Sequence, residues 1–174
     1  QCTLNIDKTV PTIGVASANK AYVVADDTDT ILLTSKTSDA NSGVRRQMIL
    51  INYEGAQAPN YRGYIGWSDD AASTTWNGHT SYGACTGGGF MSKDNAAYGY
   101  QYSTLAGCST SLAGTERTTT WTIKLKNTVG NTQDNDFSRY TYDYTDPTLA
   151  AGWTNYDVNF DVLPSAPTGL AGSA

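Results

Sequence analysis

The sequence is short of charge. Lys, Arg, Asp and Glu make up 16% of its 174 residues, against about 25% in an ordinary soluble domain. Solubility must then rest on Thr, Ser, Asn and Gly, a composition that suits a protein working outside the cell. The charge that exists sums to −5. A net negative chain gains nothing from a nucleic-acid backbone or from anionic lipid heads, so neither is expected as a partner. Long hydrophobic runs are missing too. No stretch approaches the ~20 apolar residues of a membrane-spanning helix, and no membrane insertion is expected.

Catalytic residue types are equally sparse. The one histidine is His79, and the only glutamates are Glu54 and Glu116. Ser81, Asp69 and Asp70 lie near His79 in sequence, but no Gly-x-Ser-x-Gly elbow accompanies them. A carboxylate pair for glycoside cleavage stays open in principle. With so few glutamates, a non-enzymatic role with no catalytic residue is the expectation. Asn-x-Ser/Thr sequons are absent despite many asparagines, which counts against a eukaryotic secreted glycoprotein.

There are three cysteines, Cys2, Cys85 and Cys108. Their spacing matches neither a zinc site nor a haem attachment motif. Cys85 and Cys108 share one loop-like region and are expected to form a disulfide, whose chain-entropy effect would be about 3 kcal/mol. Cys2 is the odd one: free, paired outside the chain, or paired back to that region are all open. The Gln1 start, with no initiating Met and no signal peptide, is expected to reflect processing or excision from a longer chain. The tail Leu163–Ala174 (LPSAPTGLAGSA) reads as a linker. One domain over 1–163 and a tail over 164–174 is the expected organisation.

What is abundant is alternation. In Thr118–Asn131 (TTTWTIKLKNTVGN), Trp121, Ile123 and Leu125 point one way, while Thr120, Thr122, Lys124 and Lys126 point the other. This period of two marks a half-buried strand, and Gly130 ends it. It reads as a central strand. Other strand signals are IDKTVPTI (6–13), where Pro11 suits an edge, followed by Ile13, Val15 and Ala18 turned inward. Then come Tyr22–Ala25, Thr30–Lys36, Val44–Tyr53, Tyr61–Ser68, Arg139–Asp146 and Tyr156–Val162. In Tyr61–Ser68, Gly63 and Gly66 suggest a bulge or close approach. Asp69–Glu116 breaks the rhythm. It reads as a long insertion (about 69–116) holding a hairpin candidate at Ala97–Tyr102. Seven to nine strands and no helical periodicity give an all-β sandwich or barrel.

Three fragments fall in an order that resembles bacterial immunoglobulin-like repeats. Asp7-Lys8-Thr9-Val10-Pro11-Thr12 is similar to the family's Asp-x-Thr-x-Pro-x opening. Ser38–Val44 (SDANSGV) is similar to its Thr-Asp-x-x-Ser-Gly-Val loop. Asn127–Asn131 (NTVGN) is similar to its Asp-x-Ala-Gly-Asn turn, with Asn127 in place of the Asp. Pro164–Leu170 (PSAPTGL) resembles the lead-in to a fibronectin type III repeat. The resemblance implies an immunoglobulin-like β-sandwich. The gap between its second and third motifs is far longer than the family's, and the insertion at about 69–116, with its expected Cys85–Cys108 disulfide, accounts for it. The expected fold is therefore an immunoglobulin-like β-sandwich with a long disulfide-bonded insertion. The resemblance further implies a secreted or cell-surface protein whose role is spacing, stacking or adhesion. It brings no catalytic residues, and fold alone does not give function.

Two groups of residues invite chemistry. Asp26, Asp27 and Asp29 form one acidic cluster, and Asp134 and Asp136 another. Calcium takes six to eight oxygens from such loops, so a structural calcium is one reading. The other is that Asp simply makes turns and guards strand edges. No further cofactor is expected. Trp67, Trp76, Tyr82, Tyr98 and Tyr100 crowd the fourth strand and the insertion. Such rings could stack on a polysaccharide, contact another protein, or form the insertion's own core. Expected partners are other extracellular domains or copies of the chain itself, the latter by strand exchange through the termini into a filament.

Overall fold

The computed structural model describes residues 8–40, 43–51, 63–69, 79–94, 103–126, 137–143, 150–155 and 159–161. Twelve strands run β1 (Thr12–Ala18), β2 (Tyr22–Val24), β3 (Thr30–Ser38), β4 (Val44–Ile51), β5 (Gly63–Ser68), β6 (His79–Ala84), β7 (Phe90–Asp94), β8 (Ser103–Ala113), β9 (Glu116–Leu125), β10 (Phe137–Asp143), β11 (Ala150–Asn155) and β12 (Asn159–Asp161). They form two antiparallel sheets, in the orders β1-β3-β9-β8 and β11-β10-β4-β5-β7-β6, while β12 lies parallel to β2. There is no helix among the described residues, and hence no helix long and apolar enough to cross a membrane.

The alternating stretch lies where its pattern puts it. β9 runs between β3 and β8, and Trp121, Ile123 and Leu125 are fully buried. In register with β9, Ile31 sits opposite Ile123 and Leu33 opposite Trp121. Ile49 of β4 and Ile65 of β5 join them, so one hydrophobic cluster draws on both sheets. A fully buried Leu, Ile or Phe side chain contributes about 1.5–3 kcal/mol, so this cluster is the main source of cohesion between the sheets.

Two expectations are corrected. β1 is an edge strand, as Pro11 suggested, but Val15 faces outward and is 65% exposed. A register shift between Ile13 and Ala16 reverses the parity of the strand, and Ala16 and Ala18 pack inward instead; one extra residue is enough to swap faces. The segment read as an insertion also belongs to the sheets over its described part. β6 and β7 extend the six-stranded sheet beyond β5, and β8 pairs along the length of β9. Gly66 marks a close approach: a Cβ there would lie 3.0 Å from Ser92 Oγ on the neighbouring β7.

Candidate functional site

The inward rows of β3 and β9 change character along their length. Beyond Leu33 and Trp121 come Ser35 opposite Thr119, then Thr37 opposite Arg117. Ser35, Thr37 and Thr119 are fully buried. From the other sheet Gln47, only 1% exposed, donates through Nε2 to Thr37 Oγ1 at 3.1 Å. One end of the space between the sheets is therefore polar and largely, not wholly, paired: among the described residues Gln47 Oε1 and Arg117 Nε are buried without a hydrogen-bond partner.

Arg117 is the centre of that end. Its guanidinium lies 4.2 Å from the centroid of the Trp67 ring, and Nη1 donates to Thr110 Oγ1 at 3.2 Å. The Thr110 hydroxyl also bonds the Thr118 carbonyl at 3.1 Å and lies 3.2 Å from Thr119 Oγ1. Burial lowers the Arg117 pKa, because the charged form loses hydration, and the nearby Asp69 carboxylate opposes that shift. The guanidinium, always charged in proteins, offsets part of its lost hydration by stacking on the indole face.

A five-residue loop closes over this cluster. Cys85-Thr86-Gly87-Gly88-Gly89 joins β6 to β7 and is held internally by Cys85 N–H donating to Gly89 O at 2.9 Å and Gly88 N–H donating to Cys85 O at 3.1 Å. Cys85 is bonded to Cys108 of β8, their Cα atoms 4.8 Å apart. Thr86 N–H donates to Cys108 O at 3.0 Å, and Thr110 N–H donates to Thr86 O at 2.8 Å. Trp67 Nε1 donates to Gly88 O at 3.1 Å. Two of the glycines are required. At Gly87 (φ 90°) a Cβ would run into the Thr110 carbonyl, and at Gly89 (φ 71°) into the Trp67 indole; both sit in the left-handed region that favours glycine. The loop therefore ties the six-stranded sheet to the edge of the four-stranded one, by a covalent bond and by backbone bonds.

Trp67 was a candidate ring for stacking on sugar. It is 2% exposed, with Arg117 over its ring, so neither face is open to a ligand. Tyr82 lies on β6, but its side chain is outside the described residues, as are Trp76, Tyr98 and Tyr100. The Ala97–Tyr102 hairpin candidate and the NTVGN turn also fall outside them.

The first acidic cluster is described in full. Asp26 Oδ1 accepts from the N–H groups of Thr28 and Asp29, both at 2.8 Å. Asp27 takes a positive φ of 62°, bonds Leu125 O through its own N–H at 2.7 Å, and accepts from the Thr104 hydroxyl at 2.7 Å. Asp29 accepts from Val24 N–H at 2.9 Å and pairs with Lys20. The Asp29 carboxyl is held below its ordinary pKa first by the Lys20 hydrogen bond and then by Val24 N–H. Asp26 is lowered by the N–H groups of Asp29 and Thr28. The three carboxylates thus serve separate partners, and among the described residues no three His, Cys, Asp or Glu side chains gather in a metal-binding group. Asp134 and Asp136 lie outside the described residues.

The pattern of the sequence held a signal for Arg117 that the composition hides. Counting back from Trp121 by twos gives Thr119 and Arg117 the inward parity. No protein-family model, curated protein or solved structure matches the chain.

Proposed function

We propose that the protein is a non-enzymatic structural or adhesive module of an exported, cell-surface or extracellular protein, with the two sheets stacked as an immunoglobulin-like sandwich. One observation carries this reading. The described side chains best equipped for chemistry or ligand contact are consumed in holding the fold together: Trp67 and Arg117 on each other, Cys85 on Cys108, and Asp26 and Asp29 on turn N–H groups and Lys20. A disulfide beneath a hydrogen-bonded loop suits an oxidising compartment, and low charge suits a surface made for contact rather than steering. The partners are neighbouring extracellular domains or copies of the chain; a calcium at the turns would add rigidity and no reaction.

The test is accessibility on intact source cells. Antibody against the domain should label the cell surface or the medium without permeabilisation. Labelling confined to permeabilised cells would overturn the reading. Assembly into a filament by strand exchange is the second reading. It is favoured by the exposed Val10 and Val15 at and before the edge strand β1, an apolar pair where edges are usually charged. Polysaccharide binding would have to use rings other than Trp67, and Trp76→Ala on a polysaccharide panel checks it.

A further inference from the structure

β8 is an edge strand of unusual composition. Its eleven residues, STLAGCSTSLA, carry no charge, and it lies at the end of the sheet order β1-β3-β9-β8. Proteins commonly protect such an edge with lysine, proline or a bulge that turns it away. Here a register shift between Leu105 and Gly107 disturbs only the first part of the strand, and the part from Cys108 onward is protected in another way. Cys108 O and Thr110 N–H point away from β9, and both are bonded to Thr86, which forms an isolated parallel bridge with Ser109. Gly87 packs against the Thr110 carbonyl so closely that no side chain fits. The disulfide fixes this plug at the middle of the strand. Beyond it, Leu112 is 59% exposed.

We infer that the Cys85–Gly89 loop is an edge guard, and that without it β8 pairs with β8 of a second copy. The occupant follows from the strand itself. An uncharged strand opposes its own copy with no like charges across the ladder, and antiparallel pairing about a two-fold axis uses the same surface on both chains. With the guard in place, Thr86 occupies the backbone groups that such pairing needs. The inference stands independently of the function proposed above.

The experiment uses the full chain with Cys2→Ser, so that no other thiol cross-links copies, and reads mass by light scattering after size exclusion. Cys85→Ser/Cys108→Ser removes the covalent fixing. Gly87→Ala pushes the loop off Thr110 while leaving the disulfide. Relative to the guarded protein, the mass of the folded species should double in at least one variant. Adding Ser111→Lys, which puts a charge on the exposed face of the strand in both copies, should return the mass to the starting value. Unchanged mass in both variants would overturn the inference. So would a doubling that survives Ser111→Lys, since association would then come from some other surface or from unfolding.

Discussion

The two ends of the space between the sheets are built on different physics. At one end Ile31, Leu33, Trp121, Ile123, Leu125, Ile49 and Ile65 are held by burial alone, which is non-directional and tolerates small movements. At the other, Ser35, Thr37, Gln47, Thr110, Thr119, Arg117 and Trp67 are held by directional bonds, a stacked cation and a disulfide-fixed loop. The apolar end supplies most of the cohesion. The polar end supplies alignment, because the Gln47–Thr37 bond, the Arg117–Trp67 stack and the Cys85–Gly89 loop each join one sheet to the other in a single relative placement.

The comparison can be broken from the apolar side first. Trp121→Ala should cost about 3–5 kcal/mol of folding stability, the range for emptying a buried aromatic site, read from urea denaturation. Trp121→Phe should cost much less, because Trp121 Nε1 is buried without a partner among the described residues and its removal relieves an unsatisfied donor. Next comes the clasp. Cys85→Ser/Cys108→Ser should cost about 3 kcal/mol by loop-closure entropy, measured in the same way, in a background whose association is suppressed by Ser111→Lys. A loss smaller than that of Trp121→Ala supports the unequal division; a loss equal to it or larger would remove it.

Arg117→Lys sharpens the polar end. Lysine keeps the charge but lacks the planar fork that stacks on Trp67 and reaches Thr110, so stability should fall by about 1 kcal/mol. Indole fluorescence should also shift as the Trp67 environment loosens. No change in either would show that the stack is incidental. The smallest effect is at the acidic turn. Asp26 and Asp29 have folded pKa values below their unfolded ones. Their contribution is present above the ordinary carboxylate pKa and is lost as pH falls through the folded value. The thermal midpoint should therefore hold near neutrality and decline below pH about 4, with Asp29→Asn flattening that decline. The exposure of the Lys20–Asp29 pair keeps the effect modest.

The apolar end was legible in the sequence because period-2 alternation of Trp, Ile and Leu leaves little choice of face. The disulfide was legible from its shared segment. The polar end was not, because Ser35, Thr37, Thr119 and Gln47 are residue types found mostly on surfaces, and only the parity inherited along each strand, from Leu33, Trp121 and Ile49, reveals that they point inward. β8 was hidden for a related reason. Its small residues make no hydrophobic rhythm, so a sheet strand read as part of an insertion. Val15 misled through the shift between Ile13 and Ala16, which no alternation pattern can announce. The acidic turn read correctly as a turn, but only the geometry shows that each carboxylate already has its own partner.

Amide hydrogen exchange on the Cys2→Ser/Ser111→Lys protein, in which association through β8 is suppressed, oxidised and then reduced, tests the division most directly. Thr86 and Thr110, whose N–H groups form the clasp, should lose protection on reduction, while Ile31, Leu33, Trp121 and Ile123 keep theirs. Loss of protection at both ends together would contradict the account, because the clasp would then be holding the apolar core as well.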